Sequence, residues 1–241
     1  MFGDPVVFLI GTIFLIPAIF IAIPAHELGH GIAAHLCGDP SPRNRGFLRP
    51  RPMLFVNVYG VLAAILINVG FGSPIPVNEY RLQGPLRKLA YALGGPLANL
   101  LLAILFGLLL RTLLKNGAVV PAFTIRIAAP LDYAATLVYA IYFLNLSTFA
   151  FQLLPVPGLD GWRVLDALFR GSNPRFFFNV AAHQQTIWIA CFALVFFGPL
   201  LLGFSVLGTA VGLLFQPASY LIIGQCIPYT TLFPCLPSGR Y

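Results

Sequence analysis

The chain has 241 residues, of which 59% are hydrophobic and 9% charged, with a formal net charge of +7. Soluble domains carry about 25% charged residues, so the composition argues against one and for a membrane protein with room for about five or six spans. The positive balance does not indicate nucleic-acid binding, because the basic residues stand beside apolar segments, as membrane-flanking arginines do.

The first predicted helix covers residues 6–36 and opens on eighteen uncharged residues, 6–23. At ~1.5 Å per residue it is about 45 Å long, longer than a ~30 Å hydrocarbon core, so it must tilt or protrude. It has no basic leader and is not expected to be a cleavable signal peptide. Its second half carries His26-Glu27-Leu28-Gly29-His30. His26 and His30 are i and i+4 on one helix face, with Glu27 beside them. That is the spacing of two zinc ligands and a general base. The alternative is a pair of core histidines satisfied by hydrogen bonds, but ionisable groups in membrane segments are costly and usually functional.

A polar loop with Arg43, Arg45, Arg49 and Arg51 follows, and then an apolar stretch at 54–69. Residues 70–78 hold two glycines and two prolines and are expected to be extended. Further helices are expected at 85–114 and 131–154, a Pro/Gly-rich turn at 155–161, and a short interfacial helix at 162–170. Residues 184–224 read as two spans broken at Gly198-Pro199, Gly203 and Gly208, and the tail is polar and Pro-rich. The fold expected is an all-α polytopic membrane protein with about five or six transmembrane helices and a re-entrant extended segment near residues 70–80. Residues 1–175 would form the core, 176–225 additional spans, and 226–241 the tail.

The four cysteines, Cys37, Cys191, Cys226 and Cys235, form no close-set metal pattern. Cys226 and Cys235 would pair only in an oxidising compartment, and free thiols are expected.

Catalytic zinc usually takes three protein ligands and keeps one position open. Asp160 is the best candidate for the third, because it lies in the Pro/Gly-rich turn that ends an apolar segment, where irregular backbone implies a polar cavity. Asp4, Asp39 and Asp132 flank spans and read as solvated loop residues. His35 lies on the wrong helix face and His183 at a helix start. For His26, His30 and Asp160 to meet, residues 37–84 must start and end on one side of the membrane. Arg43, Arg45, Arg49, Arg51, Arg81, Arg87, Lys88, Arg163, Arg170 and Arg175 then share that side, against Arg111, Lys115 and Arg126 opposite. The positive-inside rule turns the site toward the cytoplasm.

Together these residues resemble the site-2 protease family of intramembrane zinc metalloproteases, over roughly residues 5–170. His26-Glu27-Leu28-Gly29-His30 is similar to its first motif, and Gly95-Pro96 with Asn99 to its GPxxN element. The run 153–161, ending in Leu159-Asp160-Gly161, is similar to its third motif. Pro74-Ile75-Pro76-Val77-Asn78 resembles a segment of the compact subgroup without PDZ or CBS domains. Two positions depart from the pattern: Gln152 stands where the family has asparagine, and Gly158 where it usually has proline.

The resemblance implies one zinc ion held by His26, His30 and Asp160, with Glu27 as general base. Gln152 or Asn99 would be oxyanion donors, Asn99 alternatively an interhelical hydrogen-bond partner. The stretch ending at Asn78 would be either an edge for substrate strand addition or a plug. The expected substrate is a membrane protein with a transmembrane segment, in the cytoplasmic membrane. The partners are that substrate and the lipid bilayer, with no nucleic acid. An inert homologue that only binds membrane helices, and a metal transporter, are the competing readings.

Overall fold

In the computed structural model, residues 5–49, 51–118 and 130–224 are described. Asp4, Arg126, Cys226 and Cys235 fall outside them; Cys37 and Cys191 are free thiols.

Helix α1 (Pro5–Leu36) runs 32 residues straight through Pro17 and Pro24. A polar corner follows, containing α2 (Ser41–Asn44) and a 3-10 turn at Pro52–Leu54. Helix α3 (Val58–Ile67) is apolar but only 10 residues long. At ~1.5 Å per residue it reaches about half of a ~30 Å hydrocarbon core. The Asn57 side chain caps its first turn through the Gly60 N–H, and Asn68 ends it at φ 57°, in the left-handed region that asparagine tolerates.

Residues 69–78 then run back without helix, as the glycine and proline pattern predicts. Val56 and Gly72 form an isolated antiparallel bridge, and Ser73 N–H donates to Phe55 O at 2.7 Å. Ser147 Oγ donates to Asn68 O at 2.6 Å, tying the segment's start to α5 (Pro130–Gln152). The irregular backbone is thus lined by protein, the condition under which it is tolerated at membrane depth.

Helix α4 (Pro85–Lys115) lies against α1 with their backbones nearly touching at Gly29 and Gly94, where a Cβ on either would run into the other's carbonyl. Both α4 and α5 are buried on the inner side around Ala103, Leu110, Tyr142 and Leu146. After a turn at 153–159 come α6 (Asp160–Phe169) and α7 (Pro174–Ala182). Helices α8 (Gln184–Leu202) and α9 (Val206–Ile223) close the described chain.

Among the described residues, five helices are long and apolar enough to cross a membrane: α1, α4, α5, α8 and α9. Exposed Leu101, Leu105, Ile189, Phe192 and Leu200 give α4 and α8 the outward apolar faces that lipid contact requires. The protein is an all-α polytopic membrane protein. The sequence pattern misplaces three features. Asp39 and Asp132 are buried rather than solvated, Asp160 is the first residue of a helix rather than part of the turn, and α7 has no sequence expectation at all. Single-residue flanking position does not report burial, because loops fold back over span ends.

Candidate metal centre

The site is assembled from three helices that meet at one end of the bundle. Helix α1 supplies His26, Glu27 and His30, α4 supplies Tyr91, Gly95 and Asn99, and α6 supplies Asp160 and Arg163. His26, Glu27, His30 and Asp160 are all buried, with relative exposures of 4, 7, 5 and 4%. Gly95 makes room for them: a Cβ there would collide with both imidazoles.

Hydrogen bonding fixes the state of each histidine. Asn99 Nδ2 donates to Ala22 O at 3.0 Å and to Asn145 Oδ1 at 2.8 Å. Its Oδ1 therefore faces His26 Nδ1, at 2.7 Å, and must accept the proton from that nitrogen. His30 Nδ1 lies 2.8 Å from the Tyr91 carbonyl, which can only accept. In the neutral rings both Nε2 atoms are then lone-pair donors. They stand 3.2 Å apart, and each is 3.0–3.1 Å from Asp160 Oδ2.

Three lone pairs facing one another at such distances repel unless a cation lies between them. Tetrahedral zinc with bonds of ~2.0–2.1 Å puts its ligand atoms about 3.3 Å apart, close to this triangle. A His/His/Asp donor set that leaves a fourth position vacant is also the chemistry of a catalytic rather than a structural zinc. Among the described residues these three form the group able to hold a metal ion. Asn99 and the Tyr91 carbonyl orient the imidazoles from behind, as outer partners of metal-bound histidines do.

The second Asp160 oxygen lies 3.6 Å from Arg163 Nη1, which donates to Tyr91 Oη at 3.3 Å, with the guanidinium 5.5 Å above the Tyr91 ring. One residue of α4 thus touches both ligand-bearing neighbours, His30 through its carbonyl and Arg163 through its ring and hydroxyl. For Arg163 burial lowers the pKa, while Tyr91 and Asp160 more than compensate.

The extended segment covers Glu27. Gly72 lies so close that a Cβ would stand 2.7 Å from Glu27 Cγ and 2.8 Å from Oε1. Asn78 caps the 3-10 turn Glu79–Arg81 with its side chain, and its N–H donates to Asp39 Oδ2 at 2.7 Å. The Ser73 and Asn78 N–H groups are engaged, and Pro74 and Pro76 have none. Few donors remain for an added strand, which favours the plug over the strand-addition edge.

Of the further candidates, Asn99 has both its amide protons and its oxygen committed to neighbours, so it sits behind His26 rather than facing the ligand triangle. Gln152 is buried as the last residue of α5, and among the described residues no hydrogen bond joins it to His26, His30 or Asp160. Gly158 adopts φ +99°, which proline cannot reach. Sequence reasoning gave Tyr91 and Gly72 no place in the site, counted Arg163 only as a flanking charge and read Asp39 as solvated. Arg163 had one signal, its place three residues after Asp160 on a helix.

No family model matches the chain, and no solved structure matches it. It is 29% identical over 157 residues to the Bacillus subtilis (strain 168) protein named "Putative zinc metalloprotease YwhC", covering 64% of this chain and 68% of that one. It is 30% identical over 146 residues to "Putative zinc metalloprotease Rip2" of Mycolicibacterium smegmatis (strain mc(2)155), 58% of this chain and 51% of that one. Rip2 of Mycobacterium tuberculosis (strain H37Rv) is 30% identical over 162 residues, 64% of this chain and 57% of that one. The match thus spans little more than half the length of the Rip2 proteins. Relatives that carry zinc-metalloprotease names, and a buried His/His/Asp triangle beside a glutamate, support a zinc metalloprotease.

Proposed function

We propose that this protein is an intramembrane zinc metalloprotease of the site-2 protease kind, hydrolysing peptide bonds within or near the transmembrane segments of membrane-protein substrates. The observation that carries the reading is the meeting of His26 and His30, deep in a membrane-long helix, with Asp160 from 130 residues away. The basic residues on the site's side of the bundle support a cytoplasmic-membrane protein with its site toward the cytoplasm.

His26, His30 and Asp160 would hold the zinc, which when bound supplies Lewis-acid chemistry that acidifies water and polarises the scissile carbonyl. Glu27 lies within electrostatic range of all three ligands. It takes the proton from the attacking water and delivers it to the leaving nitrogen as the C–N bond breaks. Asn99 and Tyr91 keep both imidazoles turned to the metal. The buried walls exclude bulk water, and the substrate must unwind, because a helix engages its own carbonyls. The 69–78 segment then acts as a plug that shifts off Glu27 as the substrate enters.

The test is cleavage of a single-span reporter by the purified protein and its Glu27→Gln variant, with zinc quantified in both. The expected result is equal zinc with cleavage by the native chain alone. Zinc in both and cleavage in neither, across several reporters, would turn the reading to an inert helix-binding homologue. Zinc flux into vesicles would turn it to a transporter.

A further inference from the structure

The elbow between α6 and α7 has no part in the chemistry above. Both neighbouring helices, α5 and α8, are membrane-long, so residues 153–183 lie between two spans. Helix α7 is fastened to α6 through aromatic contacts: Trp162 is 5.1 Å from Phe177 and 6.1 Å from Phe176, ring centre to ring centre. Phe177 is buried by this, while Phe176 and Phe178 remain 53 and 74% exposed. Exposed phenylalanines next to an exposed arginine within one turn are the pattern of a helix lying in the membrane interface.

At this elbow the surface opens into a cavity of about 620 Å³ lined by Arg170, Pro174, Arg175, Phe178, Asn179 and Ala181. Its charge is one-sided. The only acids between 153 and 183 are Asp160, which belongs to the metal centre, and Asp166, which pairs with Arg170. Arg175 has no acidic partner among the described residues. No side chain caps the start of α7, so its first-turn N–H groups add partial positive charge to the wall formed by Pro174 and Arg175. Asn179 supplies an amide to the same wall.

We infer that this cavity is a binding site for the headgroup of an anionic phospholipid. The phosphodiester would sit against Arg175 and Arg170, the Asn179 amide would bond the headgroup oxygens, and the acyl chains would run beside Phe176 and Phe178. Charge complementarity at headgroup depth selects the occupant. Because α6 begins at Asp160 and ends one residue before Arg170, a lipid seated here also anchors the helix that carries the third metal ligand. The inference rests on the membrane-embedded fold and not on the proteolytic reading.

The experiment is native mass spectrometry of the full chain released from detergent with equal phosphatidylglycerol and phosphatidylcholine of identical acyl chains. The arms are the native protein, Arg175→Gln, Asn179→Ala, and Arg45→Gln as a remote control, with inorganic phosphate as competitor and zinc content as the measure of folding. The native protein should retain phosphatidylglycerol at least about fivefold over phosphatidylcholine. Arg175→Gln should abolish the preference with zinc unchanged, Asn179→Ala should weaken it, and Arg45→Gln and added phosphate should leave it intact. Equal retention of the two lipids by the native protein, or a preference unchanged in Arg175→Gln, would overturn the inference. Displacement by inorganic phosphate would overturn it too, in favour of a free-phosphate site.

Discussion

The buried carboxylate of Asp39, three residues past the end of α1, accepts the backbone N–H of Asn78 at 2.7 Å, seven residues before α4 begins. Its other oxygen takes the Ser41 N–H at 3.0 Å and the Ser41 hydroxyl at 2.6 Å. This clasp brings the ends of the 37–84 excursion together and moors the segment that covers Glu27. Asp39→Ala would leave these donors unsatisfied and should cost about 1–3 kcal/mol. Faster amide exchange across 71–81 and a lower unfolding temperature are the readouts.

The clasp also has a pH signature. Burial raises the Asp39 pKa, but the Ser41 and Asn78 hydrogen bonds and the nearby Arg81 outweigh it, so the folded value is lowered. A lowered folded pKa adds stability above the unfolded value of about 3.9, and that stability is lost as pH falls through the folded value. The stability gap between the native chain and Asp39→Asn should therefore be full at neutral pH and shrink steadily below about pH 4. A gap that stays constant down to acid would contradict the assignment.

Asn99→Ala removes the acceptor that holds the proton on His26 Nδ1. Zinc affinity should fall about 10–100-fold, with the helical content kept. Competition against a chelator of known affinity measures it, and unchanged affinity would show that Asn99 serves only the packing of α1, α4 and α5.

Gly72→Ala would press a methyl group onto Glu27. Zinc should be retained, because no ligand is touched. Cleavage should drop by up to about 10²-fold, as the base is displaced by roughly an ångström. Loss of zinc along with activity would mean that the plug supports the metal site as well.

Gly158 separates two outcomes at the turn into α6. Gly158→Ala must hold a side chain at φ +99° and should cost about 1–2 kcal/mol. Gly158→Pro cannot reach that angle and should move Asp160, two residues on, so zinc is lost. If the proline variant binds zinc normally, the turn does not position Asp160.

The grouping of His26, Glu27 and His30 was legible because it depends on spacing that a helix makes automatically: i and i+4 on one face, with an acid beside them. The spans were legible for a similar reason, since an apolar run long enough for a bilayer admits few other structures. Asp160 was legible from its place in a Pro/Gly-rich turn after a span. The extended return followed from glycine and proline content, whereas α3 was read only as part of an apolar stretch at 54–69.

What the tertiary structure alone decided are relationships between residues far apart in the chain. Asn99 stands behind His26, Tyr91 bridges His30 and Arg163, Gly95 clears space for two rings, and Asp39 clasps Asn78. Each depends on which face of one helix meets another and at what depth, and periodicity within a segment does not contain that information. Asp39 read as solvated because local polarity reports what a residue can bond, while burial is set by the chain that returns over it. The amino-acid sequence alone therefore determined the chemistry available and the helices that carry it, while packing decided which side chains stand behind His26 and His30, which cover Glu27 and which face outward.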